Sequence, residues 1–163
     1  MRVYVPVTSA ELLAARAADN GAVWDLPAGF GHEVTPQLRA IFPDADDEEL
    51  EWEAFNAAAD DSLAMVLASP KVAPVRAIIS VDIPDNSITP IAEATVVSRV
   101  NIPAVPGAKI AAVHVDEPEL AELIKSGRSG GKLSAAAHND IADAHLLWYD
   151  GSELSTVIAD VLN

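Results

Sequence analysis

The sequence predicts an α+β fold in which helices pack against a mixed sheet of about five strands, and three observations support this prediction. A strand-like segment at the N-terminus leads directly into a capped helix. Helical periodicity follows as far as residue 69, and alternating apolar residues then predominate between residues 75 and 115. Because the strands cluster in the middle of the chain, a regular doubly wound fold is disfavoured.

The first strand and helix are predicted from alternation and capping. Arg2 to Val7 alternate as a strand. Thr8 and Glu11 have the spacing of a capping box, so we expect a helix from Ser9 to about Ala18. Residues 22–33 contain one proline and two glycines and are predicted to form a structured loop. A brief helix should then begin at Pro36, capped by Thr35, and end before Pro43.

The longest predicted helix is Asp47 to Ala68. Its start lies in a run of seven acidic residues among the ten from 44 to 53, where the helix dipole favours negative charge. Spacings of three and four predict one buried apolar stripe, made of Trp52, Phe55, Ala59, Leu63 and Val66.

Three strands are predicted in the middle of the chain, over residues 75–83, 95–102 and 109–115. The last is nearly all apolar, which predicts a central position in the sheet. A helix should follow, capped by Asp116 and ending near Gly127. Beyond a flexible cationic loop over residues 126–132, we expect a helix over 135–142, a strand over 145–149 and a final helix capped near Asp150.

Length and charge limit the classes of function. Residues 1–163 are expected to form one domain, and the absence of cysteine, of a signal peptide and of a long apolar run favours the cytoplasm. The net charge of −15 disfavours binding to nucleic acid or to an anionic membrane. The acidity mainly supplies solubility, and a cationic partner protein is the more specific alternative.

No complete catalytic or metal-binding constellation is visible. There is no thiol, and no serine stands in a Gly-x-Ser-x-Gly turn. His138, Asp140, Asp143 and His145 are close in sequence but follow no metal-binding pattern. We therefore expect no metal and no cofactor, and His114 is interpreted as a hydrogen-bonded core histidine.

Two segments are candidate sites. The glycine-rich segment 29–36 carries His32, Glu33 and Thr35, which could meet a ligand there; the alternative is a turn followed by a helix start. Trp148 and Tyr149, together with the acidic residues Glu48 and Glu49, are candidates for a protein interface. The alternative is a core strand with one ring exposed, and a solvated helix start.

Five segments that follow one another in a specific order span nearly the whole chain: residues 2–6, 32–39, the acidic helix start, 111–116 and 146–149. Together they resemble an uncharacterised family of small actinobacterial proteins. The resemblance implies a bacterial cytosolic origin and no particular activity.

The first strand bears an aromatic residue, a Gly-Phe segment with a histidine and a hydroxyl comes next, and several short strands follow. This layout has a weaker resemblance to compact ADP-ribosyltransferase-like domains that bind NAD. It implies that Tyr4, His32 and Thr35 line a nucleotide cleft. The leading hypothesis is nevertheless a non-enzymatic protein-binding or regulatory module, self-association included. The alternative is a nucleotide-binding or ADP-ribosyltransferase-like enzyme that uses the loop around His32.

Overall fold

Nine strands form one antiparallel sheet in the computed structural model, which describes residues 1–128 and 132–162. The α+β prediction is confirmed. The predicted mixed sheet of about five strands is wrong, because all the strand pairs are antiparallel and the short strands carry too little alternation to be recognised from sequence. The strands are β1 (Arg2–Val7), β2 (Arg16–Ala18), β3 (Gly21–Leu26), β4 (Gly29–His32), β5 (Ala77–Asp82), β6 (Thr89–Pro90), β7 (Arg99–Ile102), β8 (Val105–Val115) and β9 (Leu147–Asp150).

Six α-helices accompany the sheet in the described part of the chain. The predictions for α2 and α3 are confirmed, and those for the two helices after residue 130 are close. The helices are α1 (Ser9–Ala14), α2 (Pro36–Ile41), α3 (Asp47–Ala68), α4 (Ala121–Arg128), α5 (Ala135–Asp143) and α6 (Leu154–Leu162). Residues 129–131 of the predicted cationic loop lie outside the described residues.

The sheet is strongly curled. Its strand order is β2-β3-β8-β5-β1-β4-β7-β6, with β9 also paired to β8. Strands β3 and β4 are four positions apart, which is about 19 Å in a flat sheet. Yet only Pro27 and Ala28 connect them, and these span at most about 11 Å. The sheet therefore bends until its two halves approach each other.

Two predictions for the N-terminal region are wrong. The first helix ends at Ala14, and the chain then turns into β2 instead of continuing to Ala18. The segment 22–33, predicted as a loop, contains β3 and β4. Gly31 is required inside β4, because a Cβ there would lie 2.5 Å from Cγ1 of Val3 on β1. The glycine that indicated a loop instead permits close strand packing.

The two faces of the sheet carry separate clusters. The inner face gathers Val3, Trp24, Ile79 and Ile102, which come from strands far apart in the order, and α1 and α6 contribute to this cluster. The outer face receives α3, which packs on Tyr4 and Ile78. The outer face is where the polar and aromatic side chains of the candidate sites converge.

Helix α3 is fixed along its length. Asp46 caps it by accepting a hydrogen bond from the backbone N–H of Glu49 at 2.9 Å. Ser62, in its C-terminal half, is fully buried, donates to the carbonyl of Val7 and accepts from the N–H of Ala77. The predicted apolar stripe is wrong at one end, since Trp52 is 47% exposed. None of the helices described is long and apolar enough to cross a membrane.

Candidate functional site

An aromatic pocket of about 340 Å³ lies on the outer face of the sheet, beside the first turns of α3. The sheet contributes Tyr4 from β1, His114 from β8 and Trp148 from β9. His114 and Trp148 are cross-strand partners, so their side chains emerge next to each other. Three strands that are distant in sequence thus provide the floor of the pocket.

Helix α3 provides one wall with Glu48, Glu51, Trp52 and Phe55. The spacings from Glu48 are three, four and seven residues, which place all four side chains on one face of the helix. His145 and Leu146, which precede β9, complete the lining. We call this cavity, with the nine residues named, the aromatic pocket.

The rings of the pocket pack against one another in stacked and edge-on geometries. Trp52 stacks on Phe55 with centroids 5.8 Å apart, and Tyr4 meets the same Phe55 edge-on at 5.7 Å. Phe55 also packs edge-on against His114 at 4.8 Å. Trp148, 62% exposed, is the outermost ring. Such ring pairs are favourable beyond the area they bury, so the wall is preorganised.

The polar groups of the pocket leave it negative. Glu48 and Glu51 are both exposed beside the rings. Burial lowers the pKa of His114 to about 4, so this imidazole is neutral at pH 7 and bonds to the Ser80 hydroxyl at 3.0 Å. Burial, followed by the charge of Glu51, raises the pKa of Tyr4 and keeps its hydroxyl protonated. The pocket therefore combines ring faces with two carboxylates, and its lining residues include no lysine or arginine.

A buried ion pair supports the edge of the pocket. Arg76 and Asp116, each almost completely buried, are joined by hydrogen bonds from the guanidinium of 2.7 to 3.1 Å. A guanidinium N–H of Arg76 also donates to the carbonyl of Ala144 at 3.0 Å. Ala144 directly precedes His145, so the pair holds the segment that closes the pocket. The prediction that Asp116 caps a helix is wrong, because its carboxylate is used by Arg76.

His32 lies outside the pocket, in a hydrogen-bonded chain. Its Nδ1 is 2.8 Å from the Ser98 hydroxyl, and its Nε2 is 2.7 Å from the Asp61 carboxylate, which also accepts from Arg99. Burial lowers the pKa of His32, so a neutral ring that donates to Asp61 and accepts from Ser98 fits the geometry. His32 and Ser98 are 0% and 2% exposed. The Ser98 hydroxyl is therefore enclosed by protein in this structure.

Glu33 and Thr35 are also buried. Thr35 donates to the carbonyl of Val97 at 2.6 Å and caps α2 by accepting from the N–H of Leu38. Oε2 of Glu33 has no hydrogen-bond partner in the part of the chain described, and burial raises the pKa of this carboxyl. Tyr4 is the cross-strand partner of His32, but only Tyr4 lines the aromatic pocket. A ligand role for His32, Glu33 and Thr35 stays a prediction.

The predicted interface residues separate into different places. Trp148 and Glu48 line the aromatic pocket. Tyr149 points to the opposite face and packs against the inner cluster, as alternation along a strand requires. Glu49 accepts from the backbone N–H of Asp46 at the start of α3. Among the residues that the structure describes, no cluster of three or more His, Asp or Glu side chains could hold a metal.

Sequence reasoning did not identify Glu51, Trp52, Phe55, His114 and His145 as parts of one site. The spacing of Glu48, Glu51, Trp52 and Phe55 was the available signal, since it mixes carboxylates with rings on one helix face. The contribution of β8 and β9 depends on the cross-strand pairing of His114 with Trp148, which no local pattern reveals.

The fold and the pocket define an α+β protein with an antiparallel curled sheet and an acidic, ring-lined cavity. The chain belongs to a family described as a family of unknown function, DUF6912, whose match covers residues 1–158. This confirms the predicted membership of an uncharacterised family. No curated protein and no solved structure matches the chain.

Proposed function

We propose that this protein is a non-enzymatic binding module that takes a cationic side chain of a partner protein into the aromatic pocket. One observation carries the proposal: the rings of Tyr4, Trp52, Phe55 and Trp148 surround an open cavity that two carboxylates, Glu48 and Glu51, also line. A cation over a ring face gains about 0.5 to 2 kcal/mol, depending on how far it is desolvated. Carboxylates beside the rings add attraction of the same sign.

The charge of the whole chain supports the same ligand class. A net charge of −15 raises the local concentration of cationic partners and speeds their encounter with the pocket. The neighbouring cation Arg2 is engaged by Asp82 through two contacts of 3.0 Å, which limits its opposition to an incoming charge. The carboxylates would repel an anionic ligand, and a neutral apolar ligand would contact the rings without gaining attraction from the two carboxylates.

The test uses NMR titration with blocked pentapeptides, Gly-Gly-Lys-Gly-Gly and its arginine counterpart. The protein has three tryptophans, and their indole N–H signals are separate probes. We expect the signals of Trp52 and Trp148 to shift, while Trp24, 3% exposed in the inner cluster, serves as an internal control. The norleucine peptide, which has the same stem without charge, should shift none of them.

Two variants make the titration specific. Trp52→Ala should weaken lysine-peptide binding about tenfold, corresponding to about 1.4 kcal/mol for a lost ring face. Leu13→Ala on α1 is the matched control, since Leu13 is 58% exposed and does not line the pocket. Equal binding of the lysine and norleucine peptides, or undiminished binding by Trp52→Ala, would overturn the proposal. Sedimentation of the unmodified protein would reveal whether the partner is a second copy.

The second candidate is a nucleotide-binding or ADP-ribosyltransferase-like activity around His32. The observation in its favour is the chain of Ser98, His32 and Asp61, which pairs a hydroxyl with an oriented imidazole. Its test is a thermal-shift screen with nucleotides, in which a ligand that binds the folded state raises the melting temperature. A shift that disappears in His32→Ala would favour this candidate, and the absence of any shift would remove it.

A further inference from the structure

A second cavity, of about 640 Å³, lies on the other side of Trp52 from the aromatic pocket. The end of α2 and the turn after it contribute Ile41, Phe42 and Pro43 to its lining. Trp52 lines both cavities, so one side chain of α3 is the wall between them. We call this second cavity the apolar cavity.

Three apolar side chains that line the apolar cavity are exposed next to one another. Ile41 is 55% exposed, Phe42 41% and Trp52 47%. Helix α2 already buries Leu38 on its inner side, so Ile41 and Phe42 are not required by its packing against the sheet. A contiguous apolar surface of this kind, rimmed by polar residues, marks an interaction site.

We propose that the apolar cavity is a second subsite, which receives an apolar side chain of the same partner segment that places its cation in the aromatic pocket. The inference rests on the proposed function. Groups on the two sides of one indole ring lie on the order of 7 Å apart when each is in van der Waals contact with it. Alternate residues of an extended chain are about 6.7 Å apart and point the same way.

The segment recognised is therefore extended, with the apolar residue two positions from the lysine or arginine. Neighbouring residues would point to opposite sides, and a residue five positions away would lie beyond the cavity. Carboxylates of Asp44, Glu49 and Glu53 also line the apolar cavity. They disfavour acidic residues flanking the apolar one, so the partner segment is basic and apolar in composition.

The experiment compares blocked peptides that differ only in where a leucine stands. Relative to Gly-Gly-Lys-Gly-Gly, a leucine two positions after or before the lysine should tighten binding at least threefold. A leucine placed next to the lysine should give less than half of that gain. The Kd values come from the same titration of indole signals, so each peptide reports on both cavities.

Protein variants assign the gain to the apolar cavity. Phe42→Ala should abolish the effect of the leucine and leave the Kd of Gly-Gly-Lys-Gly-Gly unchanged, whereas Leu13→Ala should alter neither. Phe42 is exposed, and Ile41→Ser provides a second variant should the first fail to fold. A leucine effect that is absent, independent of spacing, or preserved in both variants overturns the inference. If Gly-Gly-Lys-Gly-Gly does not bind the unmodified protein, the proposed function itself is refuted.

Discussion

Replacing Asp116 by asparagine perturbs the molecule at one atom and tests the buried ion pair. Asp116 accepts hydrogen bonds from Nε and a terminal nitrogen of Arg76 and from the backbone N–H of the same residue. The asparagine oxygen can retain part of this set, but its NH2 group would face donors. The guanidinium of Arg76, which is 2% exposed, would then stay buried without a counter-charge.

The magnitude follows from this geometry. Breaking a buried pair on one side costs about 3 to 5 kcal/mol, because the remaining charge has lost both its partner and its water. Domains of this kind are stable by about 5 to 15 kcal/mol, so Asp116→Asn should remove a large part of the free energy of unfolding. With a urea dependence of about 2 kcal/mol per molar, the midpoint should fall by about 2 M.

The assay is urea unfolding followed by circular dichroism, with Asp82→Asn as the matched control. Asp82 makes a two-contact pair with Arg2, but its side chain is 56% exposed, and such pairs contribute about 1 kcal/mol or less. If both variants lose similar small amounts, the reasoning from burial is refuted. Because Arg76 also holds the carbonyl of Ala144, Asp116→Asn should additionally weaken peptide binding at the aromatic pocket.

Three further outcomes are expected from unfolding experiments. Gly31→Ala should lower the free energy of unfolding by about 1 to 3 kcal/mol, since its Cβ would lie 2.5 Å from Cγ1 of Val3. Gly29→Ala is the control on the same strand: its Cβ would enter open space, so the melting temperature should hardly change. Ser62→Ala should lower the free energy of unfolding, measured in urea, by about 1 to 3 kcal/mol, because two buried backbone groups lose their partner. A loss below about 0.5 kcal/mol, which is typical of a neutral surface substitution, would contradict this. Folding lowers the pKa of His114 to about 4, so its contribution to the free energy of unfolding is complete above pH about 6.5 and is lost as the pH falls towards 4, by up to about 1.4 kcal/mol per pH unit. His114→Gln should flatten this part of the stability–pH profile, and an unchanged slope would refute the assignment.

The helices were predictable because their signals are local. Asp46 and Thr35 cap α3 and α2 with side-chain oxygens, and both helices begin and end where the sequence indicates. The same locality explains the failures. Gly31 indicates a loop by composition, and only the proximity of Val3 on another strand explains why a strand needs glycine there.

The candidate site was predictable only in fragments. Tyr4, Glu48 and Trp148 were each singled out from the sequence, but nothing in the chain indicated that they share one cavity. Arg76 alternates with apolar residues in a predicted strand, and the sequence does not reveal that it is buried with Asp116, its partner from forty residues away. Contacts of that separation follow from the topology of the sheet and not from local patterns.

The position of β1 has a consequence for how the chain is made. β1 leaves the ribosome before the other eight strands of this sheet, yet it lies between β4 and β5 near the middle of the sheet. Its partner β5 ends at Asp82, and β5 itself pairs with β8, which ends at Val115. Synthesis at about 5 to 20 residues per second therefore leaves this apolar strand without its partner β5 for several seconds. During that interval the nascent chain depends on its acidic residues, and on any chaperone at the exit tunnel, to stay unaggregated.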